Sequence, residues 1–156
     1  MRLVFGHDEA IAEWVSRRIP HMAGGEFKDF AAIGVADGNR PVAGIVYNEF
    51  YPAYGTMQVS MAADTPRWAQ RGIIRAALHY PFEQRGVKKL WSAMPVGNKR
   101  AIKFNLGIGF IKEAVLGHHF GDQHAVITRM YLKDYRKRYN KEHKNGQVLA
   151  VATSRA

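Results

Sequence analysis

Between Ala63 and Ile73 the hydrophobic period of this chain changes from two to three and four. Upstream, Thr56 to Asp64 sets Met57, Val59, Met61 and Ala63 on one face and Gln58, Ser60 and Asp64 on the other, the pattern of a half-buried strand. Phe27 to Ala36 and Pro41 to Phe50 flank the turn residues Asp37-Gly38-Asn39 and read as a hairpin. Downstream, Ile73, Ile74, Ala77 and Leu78 form one helical stripe, which Pro81 should kink and Gly86 should end. Lys89 to Val96 is then a strand, Asn98 a helix N-cap for Lys99 to Leu106, and Gly109 a stop. Phe110 to Leu116 and Ala125 to Leu132 add a last pair of strands, while Arg2 to Phe5 and Asp8 to Arg18 supply a first strand and helix. Hairpin strands followed by strand, helix, strand, helix require a mixed sheet with helices on its faces, an α/β (α+β) fold with about six or seven strands.

With 156 residues, 47% of them hydrophobic, the chain can bury the core of one domain. The globular unit is expected over residues 1–135, followed by a basic, flexible tail over 136–156, because Lys133 to Lys144 holds six Lys or Arg against two acids. No apolar run reaches the ~20 residues of a membrane span, and the N-terminus lacks a signal peptide's apolar core. A cytoplasmic protein with no membrane partner is the expectation. Without cysteine there is no disulfide, thiolate nucleophile or Cys-type zinc site. The formal charge of +10 favours an anionic ligand or partner, either a nucleotide cofactor, a nucleic acid or an acidic protein, the latter two through the basic tail. A solvated basic surface explains the same charge without any partner.

The segment Asp64 to Arg75 takes a strand through a glycine-containing turn into a helix. The first amides of such a helix lack intrahelical partners and lie at the positive end of its dipole, a site suited to pyrophosphate. Gln70, Arg71, Gly72, Ile73, Ile74 and Arg75 are the candidate residues, with Arg67 adding charge. An ordinary strand-to-helix turn carries as much weight on this segment alone.

This segment resembles motif A of the GNAT acetyltransferase superfamily, in which Gln/Arg-x-x-Gly-x-Gly/Ala follows a strand and wraps the pyrophosphate of acetyl-coenzyme A. Gly72 matches the first glycine, whereas Ala69 and Ile74 stand where Gln or Arg and a second small residue are usual. A close cofactor approach is not expected at the bulky Ile74. Asn98-Lys99-Arg100-Ala101 through Gly109-Phe110 is similar to the Asn-x-x-Ala... Gly-Phe block of the superfamily, particularly its branch acting on ribosomal proteins. The resemblance spans Asp64 to Leu132. It implies acetyl-coenzyme A as co-substrate, no metal, and an amine-bearing acceptor. It also implies that the strands Thr56 to Asp64 and Lys89 to Val96 splay, with amides near Met61, Ala62 and Ala63 facing the thioester and Asn98 holding the pantetheine or phosphate end.

An ammonium with a pKa of ~10 must lose a proton before attacking, so a base is expected near the acceptor. By resemblance Glu49, at its strand end, is the first candidate; a solvent-facing glutamate is the plainer reading. Asn105 occupies the position of the tyrosine that protonates the leaving thiolate in many relatives, which leaves water, Tyr131 or Ser60 for that role, or a thiolate that departs unprotonated. His118, His119 and His124 cluster near the last hairpin, but surface or acceptor-loop histidines are expected there rather than a metal site. Trp14, Trp68 and Trp91 read as packing residues. The leading expectation is transfer of an acetyl group to a primary amine. Alternatives are nucleic-acid base modification, as in the GNAT-like Mom proteins of phages, or a nucleic-acid-binding module without catalysis. The basic tail and the aromatic loop Phe50-Tyr51-Pro52-Ala53-Tyr54 motivate the first of these, and Ala69, Ile74 and Asn105, which depart from the superfamily pattern, motivate the second.

Overall fold

The computed structural model describes residues 1–22 and 24–140, in which β1 (Arg2–Val4), β2 (Ala31–Asp37), β3 (Arg40–Tyr51), β4 (Thr56–Ala63), β5 (Lys89–Pro95), β6 (Ile111–Phe120) and β7 (Gln123–Tyr131) form one sheet. Its order is β1-β2-β3-β4-β5-β7-β6, antiparallel throughout except where β4 runs parallel to β5. The helices are α1 (Asp8–Ser16), α2 (Arg71–His79), α3 (Lys99–Gly107) and α4 (Leu132–Tyr139). Among the described residues no helix is long and apolar enough to cross a membrane.

The helices cover both faces of the sheet, as the change of period requires. On one face, Ala12 and Val15 of α1, together with Ile19, pack on Ala32 and Val46. Gly34 and Gly44 let α1 approach, since a Cβ on Gly44 would lie 2.5 Å from Val15 Cγ2. On the other face, Ile74, Ala77 and Leu78 of α2 pack with Ile33, Ile45, Tyr47, Val59, Leu90 and Met130. The buried Tyr47 hydroxyl donates to Ala77 O at 2.6 Å and ties α2 to β3. Pro81 does interrupt the helical stripe: α2 passes into a π turn over Tyr80–Gln84, where Arg85 N–H donates to Tyr80 O at 3.1 Å, and Gly86 (φ +70°) ends it.

The expected boundary between residues 135 and 136 falls inside α4. Tyr135 and Tyr139 are buried in the α2-side core, so the packed unit extends through Tyr139. The tail expected beyond lies, from residue 141 on, outside the described residues. Of the cations placed in that tail, Arg136 pairs with Glu83 at 2.8 Å and Arg138 donates to Gly107 O at 2.6 Å, so both fasten α4 to its neighbours.

Candidate active site: a cleft where the parallel strands part

β4 and β5 share three register pairs, Thr56↔Lys89, Met57↔Leu90 and Gln58↔Trp91, although β4 continues to Ala63 and β5 to Pro95. Each strand keeps its outer neighbour beyond that point, β4 through Ala63↔Ala43 and β5 through Pro95↔Ala125. The facing main-chain edges therefore open where a sheet would normally pair them. The gap is a cleft of about 560 Å³ walled by Ser60–Ala63 and Ser92–Met94. Thr65, Pro66 and Trp68 and the α3 residues Arg100, Ala101, Lys103, Phe104 and Asn105 line its far side, and Arg18, Ile19 and Pro20 line it after α1. Trp68 is a packing residue, buried with its ring centroid 5.5 Å from that of Phe104, and it is also cleft wall.

The strand-to-helix segment reaches α2 through a turn at Pro66–Trp68 capped by Thr65, whose hydroxyl accepts from Arg67 N at 3.3 Å. Gln70 is the N-cap of α2 and Gly72 lies exposed in its first turn. A Cβ on Gly72 would meet nothing within 4 Å, so the space above these amides is open. Ile73 and Ile74 are buried beneath the helix. The bulk of Ile74 is thus turned into the core, and the expected obstruction to a ligand is absent there. Arg71 does not face the turn: its guanidinium donates to Arg138 O and lies 5.0 Å over the Tyr139 ring.

Asn98 lines the cleft and caps α3, its Oδ1 accepting from Ala101 N at 3.2 Å. Arg100 and Lys103 add positive charge on the same side. Arg18 is held by Asp64 at 2.8 and 3.2 Å and lies 3.6 Å over the Trp14 ring. The Arg18 hydrogen bonds hold the Asp64 carboxyl below its usual range; burial opposes them, and the charges of Arg18 and Arg40 assist. The residues present therefore suit a nucleotide thioester: an open strand edge for an extended amide-bearing arm, free helix amides, and cations for phosphate.

Of the expected catalytic residues, Ser60 lines the cleft, whereas Glu49 and Tyr131 do not. Because β3 runs antiparallel to β4, Glu49 lies past Asn48↔Gln58, at the end of the sheet where β4 and β5 are still joined. It is exposed in a bulge at φ +50°, and the Tyr51 hydroxyl donates to its Oε2 at 3.0 Å. That carboxylate pushes the Tyr51 hydroxyl above its ordinary pKa. Tyr131 pairs with Lys89 at the same end, its ring 4.0 Å beneath the Arg129 guanidinium. Met61, Ala62, Ala63 and Asn98 are brought together in the cleft, while Gln70–Arg75 form the adjoining helix start.

Sequence reasoning missed Ser92, a polar residue at an inward position of a strand that is otherwise apolar after Lys89, where alternation alone could have singled it out. Arg18, Arg100 and Lys103 carried no signal beyond general charge. The histidines sit at the β6–β7 tip, with His118 N donating to His124 Nδ1 at 2.8 Å. His21 packs on Phe120 with ring centroids 4.3 Å apart, and burial, then repulsion by His119, lowers its pKa. Among the described residues no group of three or more His, Cys, Asp or Glu is placed to hold a metal ion.

No family model matches the chain, and no curated protein matches it. Solved structures do. A single-residue mutant of spermidine N-acetyltransferase SpeG from Vibrio cholerae is 18% identical with a TM-score of 0.61, over 71% of this chain and 70% of that one. The dodecameric intermediate state of the Vibrio cholerae enzyme gives 18% and a TM-score of 0.64 over 71% and 70%. A protein from T. thermophilus assigned as an acetyltransferase gives 12% and 0.64 over 76% and 68%. At such identities the likeness is one of fold, and the fold is that of the GNAT acetyltransferases.

Proposed function

We propose that this chain is an N-acyltransferase that moves an acetyl group from acetyl-coenzyme A to a primary amine. The observation that carries the reading is the parting of β4 and β5 after Gln58↔Trp91, which leaves facing strand edges open beside the free start of α2. The main chain of Met61, Ala62 and Ala63 would pair with the pantetheine amides, and a β4 N–H would donate to the thioester carbonyl as charge develops on its oxygen. The amides about Gly72, with Asn98, Arg100 and Lys103, would hold the phosphates. Acetyl-coenzyme A supplies the activated acyl group. The residues bind and orient it, and among the described cleft-lining residues there is no carboxylate to act as base. The amine then attacks in its neutral form, losing its proton to water.

The experiment is thermal unfolding with and without saturating acetyl-coenzyme A, followed by thiol release against a panel of amines. A ligand bound only to the native state must raise the melting temperature, by about 2.7 kcal/mol of stability at a hundredfold excess over Kd. No shift and no thiol release with any amine overturns the reading. A second reading, in which the amine is carried on a nucleic acid, is favoured by the exposed Tyr51 and Tyr54 rings, 52% and 77% accessible, on a strongly basic protein. Binding of single-stranded DNA or RNA that weakens steeply with salt and with Tyr54→Ala supports it.

A further inference from the structure

Acyl transfer from a thioester expels a thiolate, which needs a hydrogen-bond donor wherever the sulfur comes to rest. The strands part immediately after Gln58↔Trp91, which sets Ser92 at the apex of the cleft. Ser92 is 7% exposed and stands directly opposite Thr128 of β7. Strand alternation sends its side chain to the face shared by Leu90 and Met94, on which α3 packs. Asn105 reaches the same place from α3, but both of its amide protons are committed, to Met94 Sδ at 3.2 Å and Thr128 Oγ1 at 3.3 Å. Thr128 is fully buried. Ser60 belongs to the opposite face, since its partner Val46 packs under α1. The Ser92 hydroxyl has no hydrogen-bond partner among the described residues.

We infer that Ser92 is the thiolate-stabilising donor of this site, a role that rests on the acyl-transferase reading. In the transfer, the amine nitrogen bonds to the acyl carbon, the carbon–sulfur bond breaks, and its electron pair stays on sulfur. Ser92 Oγ–H donates a hydrogen bond to that sulfur and keeps its proton, because a serine hydroxyl is far too weak an acid to surrender it. The proton lost by nitrogen passes to water, so charge and atoms balance. A hydrogen bond made to the anion and not to the neutral thiol lowers the thiol's pKa when it is bound.

The test uses coenzyme A and desulfo-coenzyme A, which lacks only the thiol, on the full chain and on Ser92→Ala and Ser92→Thr. Thiolate absorbance in the ultraviolet follows titration of the bound thiol, and calorimetry gives the affinities. The bound thiol should titrate about one unit higher in Ser92→Ala than in the native chain, a tenfold change in thiolate affinity. Above the thiol's pKa, Ser92→Ala should bind coenzyme A about tenfold more weakly and desulfo-coenzyme A unchanged, while Ser92→Thr restores both properties. Equal weakening for the two ligands, or an unshifted titration in Ser92→Ala, overturns the inference and leaves the acyl-transferase reading standing. If the native chain binds neither ligand, both fall together.

Discussion

Gly44→Ala isolates the contact that seats α1 and, through it, one wall of the cleft. The added Cβ would lie 2.5 Å from Val15 Cγ2 and 3.1 Å from Ile11 Cγ2, where carbon atoms prefer about 3.5–4.0 Å. Val15 is wholly buried and β-branched, so its methyl cannot swing aside and the helix must retreat. Overpacking of this kind costs about 1–3 kcal/mol. Replacing a strand glycine recovers about 0.5–1 kcal/mol by narrowing the unfolded ensemble. At mid-range the net loss is about 1 kcal/mol, which in a domain of this size lowers the melting temperature by about 2–4 °C. Ile19 and Pro20 follow α1 onto the cleft wall, so affinity for coenzyme A should fall as well. Calorimetry on Gly44→Ala, Val15→Ala and the double variant decides the matter. Truncating Val15 makes room for the new methyl, and the double variant should be more stable than the sum of the single losses. Strict additivity, or an unchanged melting temperature in Gly44→Ala, would refute the argument.

Gly72→Ala meets no protein atom within 4 Å, so the fold should tolerate it and the better helix former should add up to ~1 kcal/mol of stability. If phosphate closes on this turn, coenzyme A affinity should fall at the same time, and a calorimetric titration showing unchanged affinity would exclude the turn from the site. Burial, assisted by Glu83, pushes the Tyr135 hydroxyl up to about 12, and that hydroxyl has no hydrogen bond among the described residues. A raised native value means stability that is complete below the ordinary tyrosine value and lost as pH climbs through the native one. Tyr135→Phe should therefore be at least as stable as the native chain at neutral pH and less sensitive to alkali above about pH 10, measured by urea unfolding. The depressed Asp64 value has the opposite sign: its contribution is present above the ordinary carboxylate range and disappears as pH falls through the lowered value. Both partners are partly exposed, so Asp64→Asn should cost at most about 1 kcal/mol at neutral pH and nothing at acid pH or high salt, by the same assay.

The order of elements was legible in the sequence because each rests on a local pattern. Alternation in Thr56–Ala63, the stripe of Ile73, Ile74, Ala77 and Leu78, and the Asn98 cap are fixed by neighbours a few residues apart. The cleft walls at Met61–Ala63 and Asn98 came from a resemblance and fall where the strands part. Register is another matter, since it couples residues far apart in the chain. The antiparallel offset that sends Glu49 to the joined end of β4 and β5, and the β5–β7 pairing that places Tyr131 beside Lys89, depend on how whole strands slide. Alternation assigns a face but not a position along that face. The same physics hid Ser92, Arg18 and Arg100, which meet only after β4 and β5 separate, and it drew Arg136 and Arg138 into α4 because Tyr135 and Tyr139 beside them had a core to enter. The sequence alone determined which segments are strands and helices and where the chain carries its charge. Only the tertiary structure decided which polar groups share a cleft, because that depends on long-range pairing whose free energy no single stretch of residues contains.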